Sequence, residues 1–182
     1  MLTELSLEVD EFVNQSKHFI PFWLSVMGGL WAFNIVHWLL GKPLNFLGII
    51  PRHPFGLFGL LFAPFLHGGF NHLFFNSIPL FVLGLFILPQ GMGAFFIITG
   101  FIMFVGGLSV WLVGRTGVHI GASAVIAGYF GYVLASAYEQ PTFTTIALSL
   151  VALYYFGGIL FSLFPSEEKV SWEGHLTGFL AG

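Results

Sequence analysis

A serine in Gly121-Ala122-Ser123-Ala124 and a histidine in Trp172-Glu173-Gly174-His175 stand at the mouths of apolar stretches in a chain of 182 residues. Polar, reactive groups placed there cost free energy, so their presence calls for a reason. A serine hydroxyl beside an imidazole makes a nucleophile with its general base. The ring takes the hydroxyl proton and later returns it to a leaving amine. Ser123 also opens a helical segment, where unpaired backbone N–H groups and the positive end of the helix dipole favour negative charge. His72 and Asn76 are four residues apart and share one helix face, so both can add donors to the same oxyanion. Taken singly, each residue has a plainer reading: a serine at a helix start caps or packs, and a buried histidine bonds a backbone carbonyl.

These groups must be held by membrane-embedded elements. Only 7% of the residues are charged, 57% are hydrophobic, and the mean hydropathy is +0.91. A soluble domain carries about a quarter charged residues to solvate its surface. No charged residue lies between Arg52 and Arg115, between Arg115 and Glu139, or between Glu139 and Glu167. Each gap accommodates a span of roughly 20 apolar residues. The expected architecture is a single all-α, polytopic membrane domain over residues 1–182, with a short polar tail over 1–18 that does not resemble a signal peptide.

Six embedded helices are expected, at about 19–40, 71–88, 92–112, 123–138, 142–164 and from 172 onward. Residues 41–70 form an apolar but Pro- and Gly-rich connection, read as short interfacial helices. The last helix has 11 residues from Trp172 to Gly182, about 16 Å at 1.5 Å per residue. It is therefore expected to be truncated. If every segment crosses once, helices two, four and six start on one membrane face, bringing His72, Ser123 and His175 to similar depth. Ser123, Ala127, Gly131 and Ala135 form a small-residue stripe on the fourth helix, and His175, Gly178 and Gly182 share a face of the sixth. Such stripes mark close helix contacts in lipid. Laying one against the other sets the imidazole beside the hydroxyl.

Other classes fit poorly. A formal charge of −3 without a basic run gives no basis for nucleic-acid binding. The absence of cysteine excludes disulfides, thiolate metal sites and a cysteine nucleophile. No HExxH or similarly spaced ligand set appears and intramembrane carboxylates are missing, against a metalloprotease or ion-coupled transporter. No metal or organic cofactor is expected. His67 and Asn71 are read as organising a loop and capping the second helix, and His18, His37, His53 and His119 receive no chemical role.

Three motifs in order, His67-Gly68-Gly69-Phe70-Asn71-His72 followed by Asn76, Gly121-Ala122-Ser123, and His175-Leu176-Thr177-Gly178 followed by Gly182, resemble the rhomboid intramembrane serine proteases. The resemblance runs from about Pro64 to the C-terminus. It implies a six-helix bundle with Ser123 as nucleophile and His175 as base, a dyad without aspartate. His72 and Asn76 would help form the oxyanion hole. It further implies a serine endopeptidase that cleaves transmembrane protein substrates in or near their bilayer segments. The chain departs from the family pattern at Ala124, often glycine, at Ala127, often an aromatic against the base, and at Leu57-Phe58-Gly59, where many members carry Trp-Arg. The competing reading is a catalytically inactive rhomboid-like protein that binds or escorts membrane clients. Such proteins typically lose the serine or histidine, and this chain keeps both.

The resemblance implies a bacterial inner membrane with the site on the extracytoplasmic face. Lysine and arginine counts point the other way, with Lys42, Arg52, Arg115 and Lys169 on the site's side and only Lys17 opposite. The family orientation is adopted.

Overall fold

A computed structural model describes residues 2–165 and 171–182 of the chain. Among these the regular structure is helical, with a single isolated bridge between Ile49 and His119. Helix α1 spans Leu2–Leu39, the short α2 Gly59–Phe62, α3 Phe70–Ile87, α4 Met92–Val113, α5 Ser123–Glu139, α6 Phe143–Phe156 and α7 Trp172–Ala181. Four helices are long and apolar enough to cross a membrane, within Ser6–Leu39, Phe70–Gln90, Met92–Val113 and Phe143–Leu163. Three-residue to five-residue 3-10 turns fill the connection after α1, as its prolines and glycines dictate.

The sequence-based ranges differ from the structure in the N-terminal tail and at the end of the fifth helix. The polar tail is not separate from the first span, because α1 is continuous through it. Residues 2–20 contain neither glycine nor proline to break a helix. The fifth expected helix stays α-helical only to Phe156 and tightens to a 3-10 helix over Gly157–Leu163, starting at the glycine pair.

Helix α5 is the central element, packed by α3, α4, α6 and α7. Its Tyr129 and Phe130 are buried among Phe95, Ile102 and Leu83. The Thr99 hydroxyl donates to the Phe95 carbonyl (2.6 Å), leaving its oxygen to accept from the Tyr129 hydroxyl (2.6 Å). A buried Tyr hydroxyl in lipid needs that acceptor.

The contact between α5 and α7 uses the expected Gly131, Gly178 and Gly182, but on the first turns of α5 it runs through Ala124 and Gly128 rather than Ser123 and Ala127. Gly178 lies on the Ala124 carbonyl, Gly182 on the Gly128 carbonyl, and Gly131 under the Phe179 carbonyl. The close-approach row is therefore Ala124, Gly128 and Gly131, one residue round from Ser123 and Ala127. The shift has a physical reason: small residues bring the backbones together, while the serine beside them is turned toward a cleft.

Helix α1 braces the site from outside. Trp23 Nε1 donates to the Phe81 carbonyl (3.0 Å) and Trp31 Nε1 to Ser77 Oγ (3.0 Å), stapling α1 to α3. Higher up, Asn34 is fully buried. Its amide donates to the Phe65 carbonyl (2.9 Å) and its oxygen accepts from the His67 N–H (2.9 Å). Trp38 Nε1 donates to the His67 carbonyl (2.8 Å) and Lys42 Nζ to the Gly68 carbonyl (2.6 Å). The segment before α3 is thereby fixed without a regular element of its own.

Candidate active site

The four residues singled out by type and spacing come together. Ser123, His175, His72 and Asn76 line one cleft of about 880 Å³, together with the loop from Arg115 to Ile120. Ser123, Asn76 and His175 also border a second, apolar cleft of about 540 Å³ between α3 and the end of α6, walled by Phe75, Ile78, Pro79, Phe156 and Ile159. The two clefts meet at the serine and histidine.

The backbone before Ser123 is drawn taut. Gly121 has φ +117°, a conformation open to glycine, and its N–H donates to the Ala63 carbonyl (2.9 Å). The Ala122 N–H donates to His67 Nε2 (3.3 Å). The first rung of α5 is Ile126 N–H to the Ala122 carbonyl (2.9 Å). The N–H groups of Ser123, Ala124 and Val125 therefore lie outside the helical ladder, at the positive end of α5.

Hydrogen bonding fixes the ring faces. A carbonyl only accepts, so the contact of His175 Nδ1 with the Ser162 carbonyl (3.3 Å) places the proton on Nδ1 and leaves Nε2 with a free lone pair. The 3-10 end of α6 supplies that carbonyl. His72 Nδ1 accepts from the Gly68 N–H (3.4 Å), which places its proton on Nε2. That nitrogen faces Gly121, where an added Cβ would meet it at 2.6 Å and Asn76 Nδ2 at 3.5 Å. Asn76 Nδ2 is buried without a protein acceptor. Two side-chain donors and a free helix N-terminus thus converge on the Gly121–Ser123 turn. Among the described residues no hydrogen bond joins Ser123 Oγ to His175, a looseness usual in sites awaiting substrate. No group of three or more His, Cys, Asp or Glu among them is placed to hold a metal ion.

His67 organises the loop, as its sequence position suggested, whereas Asn71 does not cap α3. The cap position is Gly69, with no side-chain bond, and Asn71 sits inside the first turn. His67 is fully buried and its ring lies 5.0 Å from that of His72. Burial first, and the neighbouring imidazole second, push its pKa down from 6.5 to about 4. The unfolded chain therefore binds a proton between about pH 6.5 and 4 that the folded chain refuses. Stability present above pH 6.5 should fall as the pH drops toward 4, by roughly 3 kcal/mol. Denaturation of the protein at several pH values checks this, because the pH slope should shrink in His67→Gln whatever that variant's absolute stability.

Sequence reasoning passed over several residues that build the site. Asn34 carried a usable signal, an amide in the middle of a span that needs a buried partner. Arg115, His119, Ser171 and Glu173 form a network beside the cleft, with Arg115 Nε 2.6 Å from Glu173 Oε1 and His119 Nδ1 2.7 Å from Ser171 Oγ. Their sequence separation hid them, since the pairs are joined across 58 and 52 positions.

Comparison with known proteins gives the family of the chain. The family model described as the Rhomboid domain matches residues 54–182. An uncharacterized protein of Mycobacterium tuberculosis and one of Mycobacterium bovis are each 37% identical over 168 residues, covering 87% of this chain and 70% of the relative. An uncharacterized protein of Mycobacterium leprae is 32% identical over 168 residues, covering 87% of this chain and 66% of the relative. No solved structure matches. With the family model covering most of the chain, from the turns after α1 through α7, this integral membrane protein belongs to the rhomboid family.

Proposed function

We propose that the protein is an intramembrane serine endopeptidase that cleaves peptide bonds in or near the transmembrane segments of other membrane proteins. The observation that carries this reading is the convergence on one turn of Ser123, a histidine whose Nδ1 is held by a carbonyl, His72 Nε2, and an Asn76 amide that is buried with no acceptor among the described residues. Ser123 Oγ attacks the scissile carbonyl carbon while its proton passes to His175 Nε2. The tetrahedral oxyanion is held by the Ser123 N–H, His72 Nε2–H and Asn76 Nδ2–H. His175 then protonates the leaving amine, the C–N bond breaks, and an acyl-enzyme remains on Ser123. Water loses a proton to His175 as it attacks the ester, releasing the new carboxyl terminus and restoring the hydroxyl.

The two clefts suit the two reactants. The apolar one offers a path for a substrate segment from lipid, and the polar one admits water. The site is assigned to the extracytoplasmic side of a bacterial inner membrane. The contrary Lys and Arg count loses weight because three of its cations are committed locally. Arg52 donates to the Leu112 (3.1 Å) and Gly114 (2.9 Å) carbonyls at the end of α4, Lys42 bonds Gly68, and Arg115 pairs with Glu173. Lys169 lies outside the described residues.

The test is cleavage of a transmembrane peptide by the protein reconstituted in liposomes, with Ser123→Ala alongside. Cleavage that requires Ser123 supports the reading, and an intact substrate bound equally by both forms would favour a client-binding rhomboid-like protein. Within the same assay, Asn76→Ala and His72→Ala should each lower kcat about 10²–10³-fold with little change in KM, as expected for losing one oxyanion donor.

A further inference from the structure

The first turn of α7, the helix that carries His175, is held by a closed ring of hydrogen bonds. Gly174 N–H donates to Ser171 Oγ (3.3 Å), and because the Arg115 carbonyl keeps the His119 proton on Nε2, the Ser171 hydroxyl donates to His119 Nδ1 (2.7 Å). His119 Nε2–H then donates to the Arg115 carbonyl (2.9 Å). Arg115 returns to α7 through Glu173: its backbone N–H and Nε reach Oε1 (3.3 and 2.6 Å), and Nη2 reaches Oε2 (3.3 Å). Glu173 is only 4% exposed, two residues before His175, while the Arg115 side chain is 41% exposed. A carboxylate that deeply buried is tolerated only with its partner in place. The other side of the loop is anchored too, through the paired bonds of His119 with Ile49 (both 2.9 Å).

We infer that Glu173 and Arg115 are positioning residues that clasp the start of α7 to the loop over the cleft, so that His175 and the loop are set together as one unit. The inference rests on the protease reading only for its kinetic consequence. α7 meets α5 along a row of glycines, which fixes its distance but offers little against rotation or sliding. The ring supplies that constraint at the end where the base sits. The loop it grips, residues 115–120, also lines the polar cleft. Opening of that loop would therefore carry the base out of register with Ser123.

The experiment uses the intact protein in proteoliposomes with Arg115→Ala, Arg115→Lys, Glu173→Gln and the Arg115→Ala/Glu173→Gln double variant. Turnover of a transmembrane peptide is read beside hydrogen exchange in segments 115–120 and 172–178. Arg115→Ala should lower kcat about tenfold to a hundredfold at nearly constant KM, the scale of an ångström-sized misplacement. Exchange should rise in both segments together. The double variant should recover several-fold over Arg115→Ala, because the stranded carboxylate is gone, and Arg115→Lys should keep most of the activity. A double variant no better than Arg115→Ala, or exchange that rises in one segment alone, would overturn the clasp. Coupled exchange in a protein whose native form cleaves nothing would leave the clasp standing and remove the protease reading instead.

Discussion

Alanine in place of His175 is expected to lower peptide turnover on the order of 10⁴-fold or more, with the protein still folded. The magnitude follows from what the imidazole is asked to do. Without it the Ser123 hydroxyl keeps its proton at neutral pH, and the amine leaves as a poor, unprotonated group. The folded state should tolerate the change because the packing of α7 runs through Gly178, Phe179 and Gly182 rather than through the ring. The bond of the ring to the Ser162 carbonyl lies at the partly buried cleft edge. Ser123→Ala should give a loss of similar size, and the double variant should be no worse than either single one, since the two act as a unit. Turnover near the native level in His175→Ala, with substrate and detergent unchanged, would remove the dyad.

Gly178→Ala should also be damaging, by a different route and with a loss of stability as well. A Cβ there would meet the Ala124 carbonyl oxygen at less than contact distance, with the carbonyl carbon at 2.8 Å. The obstacle is backbone, which no rotamer change removes. The helices must move apart, at roughly 1–3 kcal/mol of stability. Ala124 immediately follows Ser123, so the same displacement separates nucleophile from base, and a shift near 1 Å costs about 10²-fold in rate. Gly100→Ala on α4 is the matched control, because an added Cβ there meets nothing within 4 Å. It should leave activity unchanged and stability slightly raised, as alanine is the better helix former. Thermal unfolding and peptide turnover of the two variants side by side check the contrast. Equal behaviour would mean that α5 and α7 do not pack as closely as their glycines allow.

The fold was legible wherever one physical rule dominated. Long uncharged stretches marked α3, α4 and α6 to within a residue or two at their starts, because the bilayer leaves few alternatives. The parity of crossings puts His72, Ser123 and His175 on one side, and the three line one cleft. What escaped depended on pairings between distant segments. The N-terminal tail read as separate because its charges suggest solvent, yet nothing in it stops a helix. The row of α5 against α7 was misread by one position, since Ala124 and Ala127 are equally small and only the partner helix distinguishes them. Glu173 and Arg115 acquire meaning only from partners tens of residues away, whereas Asn34 stood out as a mid-span amide whose partners alone were hidden. The glycines at 157 and 158 open the 3-10 turn that presents the Ser162 carbonyl to the base.

The most direct test of the Ser123–His175 dyad is labelling of the purified, intact protein with a fluorophosphonate probe, mapped by mass spectrometry. Covalent modification at Ser123 that disappears in both Ser123→Ala and His175→Ala is the expected result. A probe-sized cleft meets the serine, so access should not limit the reaction. Labelling of Ser123 that persists undiminished in folded His175→Ala would contradict the dyad, and so would a folded native protein that neither labels nor cleaves a transmembrane peptide.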